Sequence, residues 1–287
     1  MSSPAPAAPL SLSSADLRNA LAVASDAVRA AGDLLLRLRR APLDVVGDFA
    51  HDIKLQADRE SEALILSRLA AFAPALPVLT EETGEHGIVD PAAPLWVVDP
   101  LDGTFNYSKG MPQCCSSIGL CIGGEPVLGA VYNFFTDELF TGLCLPSADG
   151  GGAWLNGVPI HASAVTNPPA ASLATGFPHH FDLSSASMAT FVRRVQSFKK
   201  IRMIGSAALM AAYVGTGWFD AYVESDIWLW DIAGAAAIAR AAGATVRIGP
   251  GFAGTWARTI VCAATPALAD ALAIPETVRA PAPGATP

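Results

Sequence analysis

Charged residues are scarce in this chain, 15% of 287, and basic ones are the scarcer kind: 18 Lys and Arg against 26 Asp and Glu, for a net charge of -8. A chain short of cations is ill suited to a nucleic-acid backbone, whose phosphates are held by Lys and Arg. It is equally ill suited to an anionic membrane surface, so neither partner is expected. The five cysteines, at 114, 115, 121, 144 and 262, are odd in number and contain no Cys-x-x-Cys pair. That argues against a disulfide framework and a cysteine zinc site, and points to reduced thiols in a cytoplasmic setting. No long apolar run is free of charge; the longest are cut by residues such as Arg240, so no segment is expected to span a bilayer. Residues 1–14, rich in Ser, Pro and Ala, have neither the basic start nor the apolar stretch of a secretory signal.

What the chain does have is apolar surface to bury. Hydrophobic residues make up 52%, much of it alanine, a composition that favours helix and close packing in a globular protein. The length suits one large domain or two modest ones. The expected organisation is a disordered tail over 1–13, an N-terminal α+β half over 14–150, a C-terminal α/β half over 151–275 and a flexible Ala/Pro-rich tail over 276–287. Gly150-Gly151-Gly152 and Pro168-Pro169 bracket the transition between the halves.

The periodicity predicts a helix from Ser14 to about Arg40, with Leu17, Leu21, Ala24, Val28, Ala31, Leu35 and Leu38 on one face and Ser13 with Asp16 as its start signal. A second helix is expected from near Asp58 to about Phe72, stopped by Pro74 and Pro77. Two short strands follow, 77–80 and 95–98, and then a meander of three strands over 116–122, 127–133 and 138–143. Beyond the transition, strands at 173–176, 200–203, 221–224 and 245–248 alternate with helices at 186–198, 206–213 and 232–242. Alternation of this kind argues for an α/β arrangement.

Chemistry concentrates where these elements end. In Trp96-Val97-Val98-Asp99-Pro100-Leu101-Asp102-Gly103-Thr104 an apolar strand delivers two carboxylates onto a turn, and Gly103 and Thr104 offer N–H groups of the kind that hold phosphate at a helix start. Two like charges so close call for a cation between them, and a hard divalent ion such as Mg²⁺ suits oxygen ligands. A tight turn capped by aspartates is the other reading of that segment alone. Glu81 and Glu82 also follow a short apolar strand, and Asp231 follows another apolar run at a helix start. Asp231, taken singly, reads as a helix cap; together, acids at strand ends are what α/β proteins build sites from.

Asp99-Pro100-Leu101-Asp102-Gly103-Thr104 resembles the first signature of the inositol monophosphatase family. Trp230-Asp231-Ile232-Ala233-Gly234 resembles the second, and Thr80-Glu81-Glu82-Thr83, which precedes both, resembles the family's Glu-Glu segment. The resemblance extends through Trp154-Leu155-Asn156-Gly157, Thr175-Gly176-Phe177-Pro178 and Gly205-Ser206-Ala207, from about residue 52 to 246. It implies a layered αβαβα sandwich of the inositol monophosphatase/fructose-1,6-bisphosphatase type and Mg²⁺-dependent hydrolysis of a small phosphate monoester by a metal-activated water. It further implies two or three Mg²⁺ per site, a homodimer and sensitivity to lithium. It assigns Glu81, Asp99 and the Leu101 carbonyl to one ion, and Asp99, Asp102 and Asp231 to a second, with Glu81 sharing a weaker third. Gly103 and Thr104 are assigned to phosphate, and Thr104 backed by Asp58 to the attacking water. Ser206, Ala207 and Glu224 are assigned to substrate. Asp58 also reads as a helix cap and Glu224 as a strand-end acid.

Phe105-Asn106-Tyr107 favours the inositol branch, whereas Gly47-Asp48-Phe49-Ala50-His51 and Arg240-Ala241-Ala242-Gly243-Ala244 depart from the family pattern. Histidinol phosphate, a sugar bisphosphate and a 3′-phosphonucleotide remain as alternative substrates, and a non-catalytic binding module on the same scaffold as an alternative of another kind. His179-His180 reads as an exposed loop pair or a substrate contact.

Overall fold

The computed structural model describes residues 11–48, 53–177 and 184–272. Residues 1–10 of the N-terminal tail, the whole 276–287 tail, most of the 47–51 segment and the His179-His180 pair lie outside the described residues. The elements in order are α1 (Ser14–Leu38), β1 (Val45–Asp48), β2 (Ile53–Leu55), α2 (Gln56–Leu69), β3 (Val78–Thr80), β4 (Gly84–His86), β5 (Leu95–Asp102), α3 (Thr104–Lys109) and β6 (Cys115–Ile122). They continue as β7 (Glu125–Asn133), β8 (Glu138–Leu143), β9 (Gly152–Leu155), β10 (Val158–Pro159), β11 (Ser172–Thr175), α4 (Ser185–Ser197), β12 (Lys200–Arg202) and α5 (Ala207–Gly215). The last are β13 (Ala221–Trp228), α6 (Leu229–Ala241), β14 (Thr245–Pro250), β15 (Ala257–Ala263) and α7 (Pro266–Ala271).

Two sheets and three helical layers stack as αβαβα. The eight-stranded sheet runs β10-β9-β8-β7-β6-β5-β3-β4 and the five-stranded sheet β12-β11-β13-β15-β14; β1 and β2 form a separate antiparallel pair. α1 and α2 cover the outer face of the large sheet, where Leu17, Val28, Leu35 and Ile65 pack on Trp96, Val98, Ile118 and Leu120. α1 starts as expected, on a capping box in which Ser13 N donates to Asp16 Oδ2 (2.9 Å) while Asp16 N donates to Ser13 Oγ. α5 and α6 fill the space between the sheets, against Val131 and Phe140 on one side and Tyr222 and Ile260 on the other. Leu268 and Ala269 of α7, with Phe198, close the far face of the small sheet.

Every residue of β5 is buried. Trp96 and Val98 face the outer helices while Leu95 and Val97 face Leu229 and Ala233 of α6, as side-chain alternation on a strand covered on both faces requires. The meander expected over 116–143 is present as β6, β7 and β8. β9 and β10, which follow the Gly150–Gly152 run, still belong to the large sheet, and the small sheet begins only after Pro168-Pro169.

The alternation of strands and helices beyond residue 170 predicts an α/β arrangement, and β11 is parallel to β12 and β13. β15, however, runs antiparallel to both β13 and β14. β15 lies beyond the last strand expected from the sequence, 245–248, and carries Thr259-Ile260-Val261, a β-branched run of the kind strands favour.

Gly119, Gly129 and Gly142 are cross-strand neighbours on β6, β7 and β8 and form a trench without side chains. α6 lies in it. A Cβ on Gly129 would sit 1.9 Å from the Gly234 carbonyl oxygen, and one on Gly142 2.4 Å from Ile238 Cα. α6 itself is Ala-rich and buried along nearly its whole length, as a helix apolar on all sides must be. Its first turn is thereby held over the end of β5.

Candidate active site

β3 and β5 are parallel, with Thr80 paired to Val98. In register, the residue that follows each pair is Glu81 on one strand and Asp99 on the other, so the two carboxylates emerge side by side from the same sheet end. They are within hydrogen-bonding reach of each other. Asp102 ends β5 three residues on, where the pairing with β6 slips between Asp99 and Asp102. Asp231 arrives from the other side on the first turn of α6. The acids expected from the sequence to converge do so: Asp99 feels the charges of Glu81, Asp102 and Asp231.

Asp58 and Asp231 occupy equivalent places in their helices, the third position of the first turn, and each accepts the N–H of the residue preceding its helix. Leu55 N donates to Asp58 Oδ2 at 2.7 Å and Trp228 N to Asp231 Oδ2 at 3.1 Å. This satisfies an orphan helix-start donor and places negative charge at the positive end of the helix dipole. The capping reading of both residues therefore coexists with a place in the acidic cluster.

The Thr104 hydroxyl lies 3.0 Å from Asp58 Oδ1 and 2.9 Å from the Leu101 carbonyl oxygen. With one proton it donates to one of them at a time. Gly103 precedes α3 with φ +83°, in a place where a Cβ would meet the Gln113 carbonyl at 2.8 Å; glycine meets both demands. Asn106 Nδ2 ties α3 to the Gln113 and Ile204 carbonyls, each at 2.7 Å, and Tyr107 donates its hydroxyl proton to the Leu35 carbonyl of α1.

Asp102 is gripped by the start of α5. Ser206 Oγ donates to Oδ2 at 2.5 Å, Ala208 N to Oδ2 at 2.8 Å and Ala207 N to Oδ1 at 3.3 Å. Ser206 and Ala207 are assigned to substrate by resemblance. In the structure both are buried and directed at Asp102, because α5 needs an acceptor for its first N–H groups and Asp102 supplies it. Glu224 stands on β13 with its Oε2 accepting from Tyr222 Oη at 2.9 Å, packed so tightly on Gly176 that a Cβ there would lie 2.6 Å from it.

Burial raises all of these carboxylates. It pushes Asp58 and Glu224 up to about 7 and Asp102 up to about 6, the last in spite of its hydrogen bonds. Asp99 and Asp231 are held well above the carboxylate range, first by burial and then by Glu81 and their other acidic neighbours. Glu81 is raised by burial and pulled back by Lys54. Acids forced together out of water resist ionisation unless a cation joins them.

The donor set is all oxygen and fits a hard divalent ion. Among the described residues no three of these side chains form a preformed cage: Asp102 is turned to α5, Asp231 to Trp228 N, Glu81 to Lys54, and Asp99 Oδ1 accepts from Leu101 N at 3.0 Å. Each carboxylate keeps acceptor capacity beyond its present partners, Asp102 through Oδ1, since its Oδ2 already accepts from both Ser206 Oγ and Ala208 N.

Sequence reasoning missed two residues here. Lys54 pairs with Glu81 and Glu82. Glu62, only 2% exposed, accepts from Glu82 N (3.0 Å) and from the Thr83 hydroxyl, holding the turn that carries Glu81. The signal for Glu62 was its place one helical turn after Asp58, on the same face of α2.

The profile described as the inositol monophosphatase family matches residues 16–280. Inositol monophosphatase 1 of Solanum lycopersicum is 35% identical over 236 residues, covering 79% of this chain and 83% of the relative. Nus factor SuhB of Xylella fastidiosa is 35% identical over 226 residues, covering 77% and 78%. The solved inositol monophosphatase from Anabaena (Nostoc) superposes with a TM-score of 0.75 at 32% identity, over 90% of this chain and 94% of that one. The chain belongs to the inositol monophosphatase family, whose members are phosphoric monoester hydrolases that generally depend on Mg²⁺.

Proposed function

We propose that this member of the inositol monophosphatase family hydrolyses the monoester of a small polyol or sugar phosphate, inositol monophosphate first among them, at the meeting point of β3, β5 and α6. The observation that carries this reading is the convergence of Glu81, Asp99, Asp102 and Asp231 beside the Asp58–Thr104 pair. Glu81, Asp99 and the Leu101 carbonyl would hold one Mg²⁺, and Asp99, Asp102 and Asp231 a second. When bound, such ions polarise phosphate oxygens and lower the pKa of water.

The chain's own groups set the geometry. Asp58 accepts the Thr104 proton, so the Thr104 oxygen is left as an acceptor that orients a water O–H. Asp58, pushed up to about 7, exchanges a proton readily near neutral pH, which suits a group working next to that water. The N–H groups of Gly103 and Thr104 receive phosphate oxygens, with no Cβ at Gly103 to obstruct them. Glu224 on β13 faces the same region; as a carboxylate it accepts from a polyol hydroxyl, and as an acid it donates to one.

Phosphate release from a panel of inositol monophosphate, histidinol phosphate, a sugar bisphosphate and a 3′-phosphonucleotide, with Mg²⁺ and with a chelator, tests the proposal. Turnover of inositol monophosphate with Mg²⁺ alone is expected. Preference for another member reassigns the substrate. Release from none would favour the non-catalytic reading, for which the likeness to a Nus factor is the supporting observation.

A further inference from the structure

Lys54 lies on β2, just before α2, and its Nζ reaches two consecutive carboxylates, Glu81 and Glu82, the latter at 2.5 Å. Only 22% of the Lys54 side chain and 4% of the Glu82 side chain remain exposed. Both ends of this contact are anchored. Leu55 N, next to Lys54, is clamped by Asp58 Oδ2, and Glu82 N by the buried Glu62. A long, entropically costly side chain is thus delivered to one place. The other ion pairs among the described residues, Arg29–Asp137, Arg240–Glu125 and Arg247–Asp270, lie on different elements and do not touch the acidic set.

Glu81 is shared. Its Oε1 meets the Lys54 ammonium, and Asp99 is within hydrogen-bonding reach of the same carboxylate. Glu81 and Glu82 repel each other and Asp58, and the Lys54 charge lies against both glutamates and offsets that repulsion. Coulomb attraction is screened less in such a partly dry site than in water. A second cation placed on the same face of Glu81 would meet the ammonium's repulsion at full strength.

We propose that the Lys54 ammonium is a tethered counter-ion that takes the place of one divalent cation beside Glu81, so that the site accepts two metal ions and no third. This rests on the metal-binding reading given above. It makes Lys54 a positioning residue: it holds Glu81 Oε1 and leaves Oε2 to the two ions.

The test counts Mn²⁺ bound to the full chain by equilibrium dialysis with electron paramagnetic resonance, for the unaltered protein and for K54M, K54Q and K54R. Two ions per chain are expected for the unaltered protein and for K54R, which keeps the charge, and three for K54M and K54Q at the same free Mn²⁺. In chelator, the thermal midpoint of K54M should fall below that of the unaltered protein and recover more when Mn²⁺ is added. Three ions in the unaltered protein overturn the proposal even if no variant folds. So does an equal count in all four proteins. No binding to any of them overturns the metal reading itself, an outcome distinct from an unchanged count of two.

Discussion

Gly129 on β7 and Gly234 on α6 touch backbone to backbone: a Cβ on Gly129 would lie 1.9 Å from the Gly234 carbonyl oxygen and 2.6 Å from its carbon. α6 carries Asp231 at its first turn, so this contact between two residues far apart in the chain sets where a candidate metal ligand stands. Substituting Gly129→Ala must lift the helix or bend the sheet. Overpacking typically costs about 1–3 kcal/mol, and with backbone as the obstacle the loss should reach the top of that range. Chemical denaturation measures it. Phosphatase activity should fall further than the folded fraction does, since Asp231 moves with the helix; a variant as stable and active as the parent would show that the trench does not position Asp231.

Asp99→Asn should separate catalysis from stability. Asp99 is buried among Glu81, Asp102 and Asp231 and raised by all three, so a neutral isostere relieves repulsion. The metal-free thermal midpoint is expected to hold or rise. Loss of a group that merely supports a metal ligand costs about 10–100-fold, and loss of a ligand shared by two ions should exceed about 100-fold in kcat. Near-normal kcat at saturating Mg²⁺ would remove Asp99 from the ligand set.

The metal-free protein should lose stability as pH rises from 4 toward 8. Asp58 and Glu224 are pushed up to about 7 and Asp102 to about 6, above the ordinary carboxylate values of the unfolded chain. Between those limits the folded state binds more protons than the unfolded state, so the unfolding free energy falls with pH. Below about pH 4 all these groups are protonated in both states and the term vanishes. Mg²⁺ should flatten the slope, because a bound cation favours the ionised form. Midpoints that rise over this range in chelator would contradict the buried, cation-free arrangement of these acids.

Thr104→Ala should lower kcat with little change in KM, as the hydroxyl serves the attacking water rather than the substrate's ground-state binding. Thr104→Ser, which keeps the hydroxyl 3.0 Å from Asp58 Oδ1, should restore most of the rate. A rise in KM with unchanged kcat would place Thr104 on the substrate instead.

Lithium should inhibit uncompetitively with respect to substrate and less as Mg²⁺ increases. Asp99, Asp102 and Asp231 lie close enough to raise one another by charge; a small hard cation would relieve that repulsion, and Li⁺ carries half the charge of Mg²⁺ with similar size. Steady-state rates at fixed ionic strength, with Na⁺ as the control, give the comparison; identical rates in both salts would mean the second position is not built from these three residues.

Several features of this site are short-range and were legible in the chain as written. Glu81 follows the short buried strand β3, Asp99 comes after the apolar run Leu95-Trp96-Val97-Val98 within β5, and Asp102 ends β5. Asp58 and Asp231 sit where a carboxylate satisfies a helix-start N–H three residues back. Strand, turn and cap are decided within a few residues by backbone hydrogen bonding and side-chain reach, so their residue types announce them. The antiparallel pairing of β15 with β13 and β14, the Ser206–Asp102 contact across 104 positions and the Lys54–Glu81 pair across 27 were not legible. Those depend on which elements pack together: the parallel register that sets Glu81 beside Asp99, and the glycine trench that lets α6 bring Asp231 over them. Tertiary packing alone decided that four separate acids, each explicable as a local cap or turn residue, would share one buried place, because only burial and mutual repulsion at short distance turn such residues into a site for a cation.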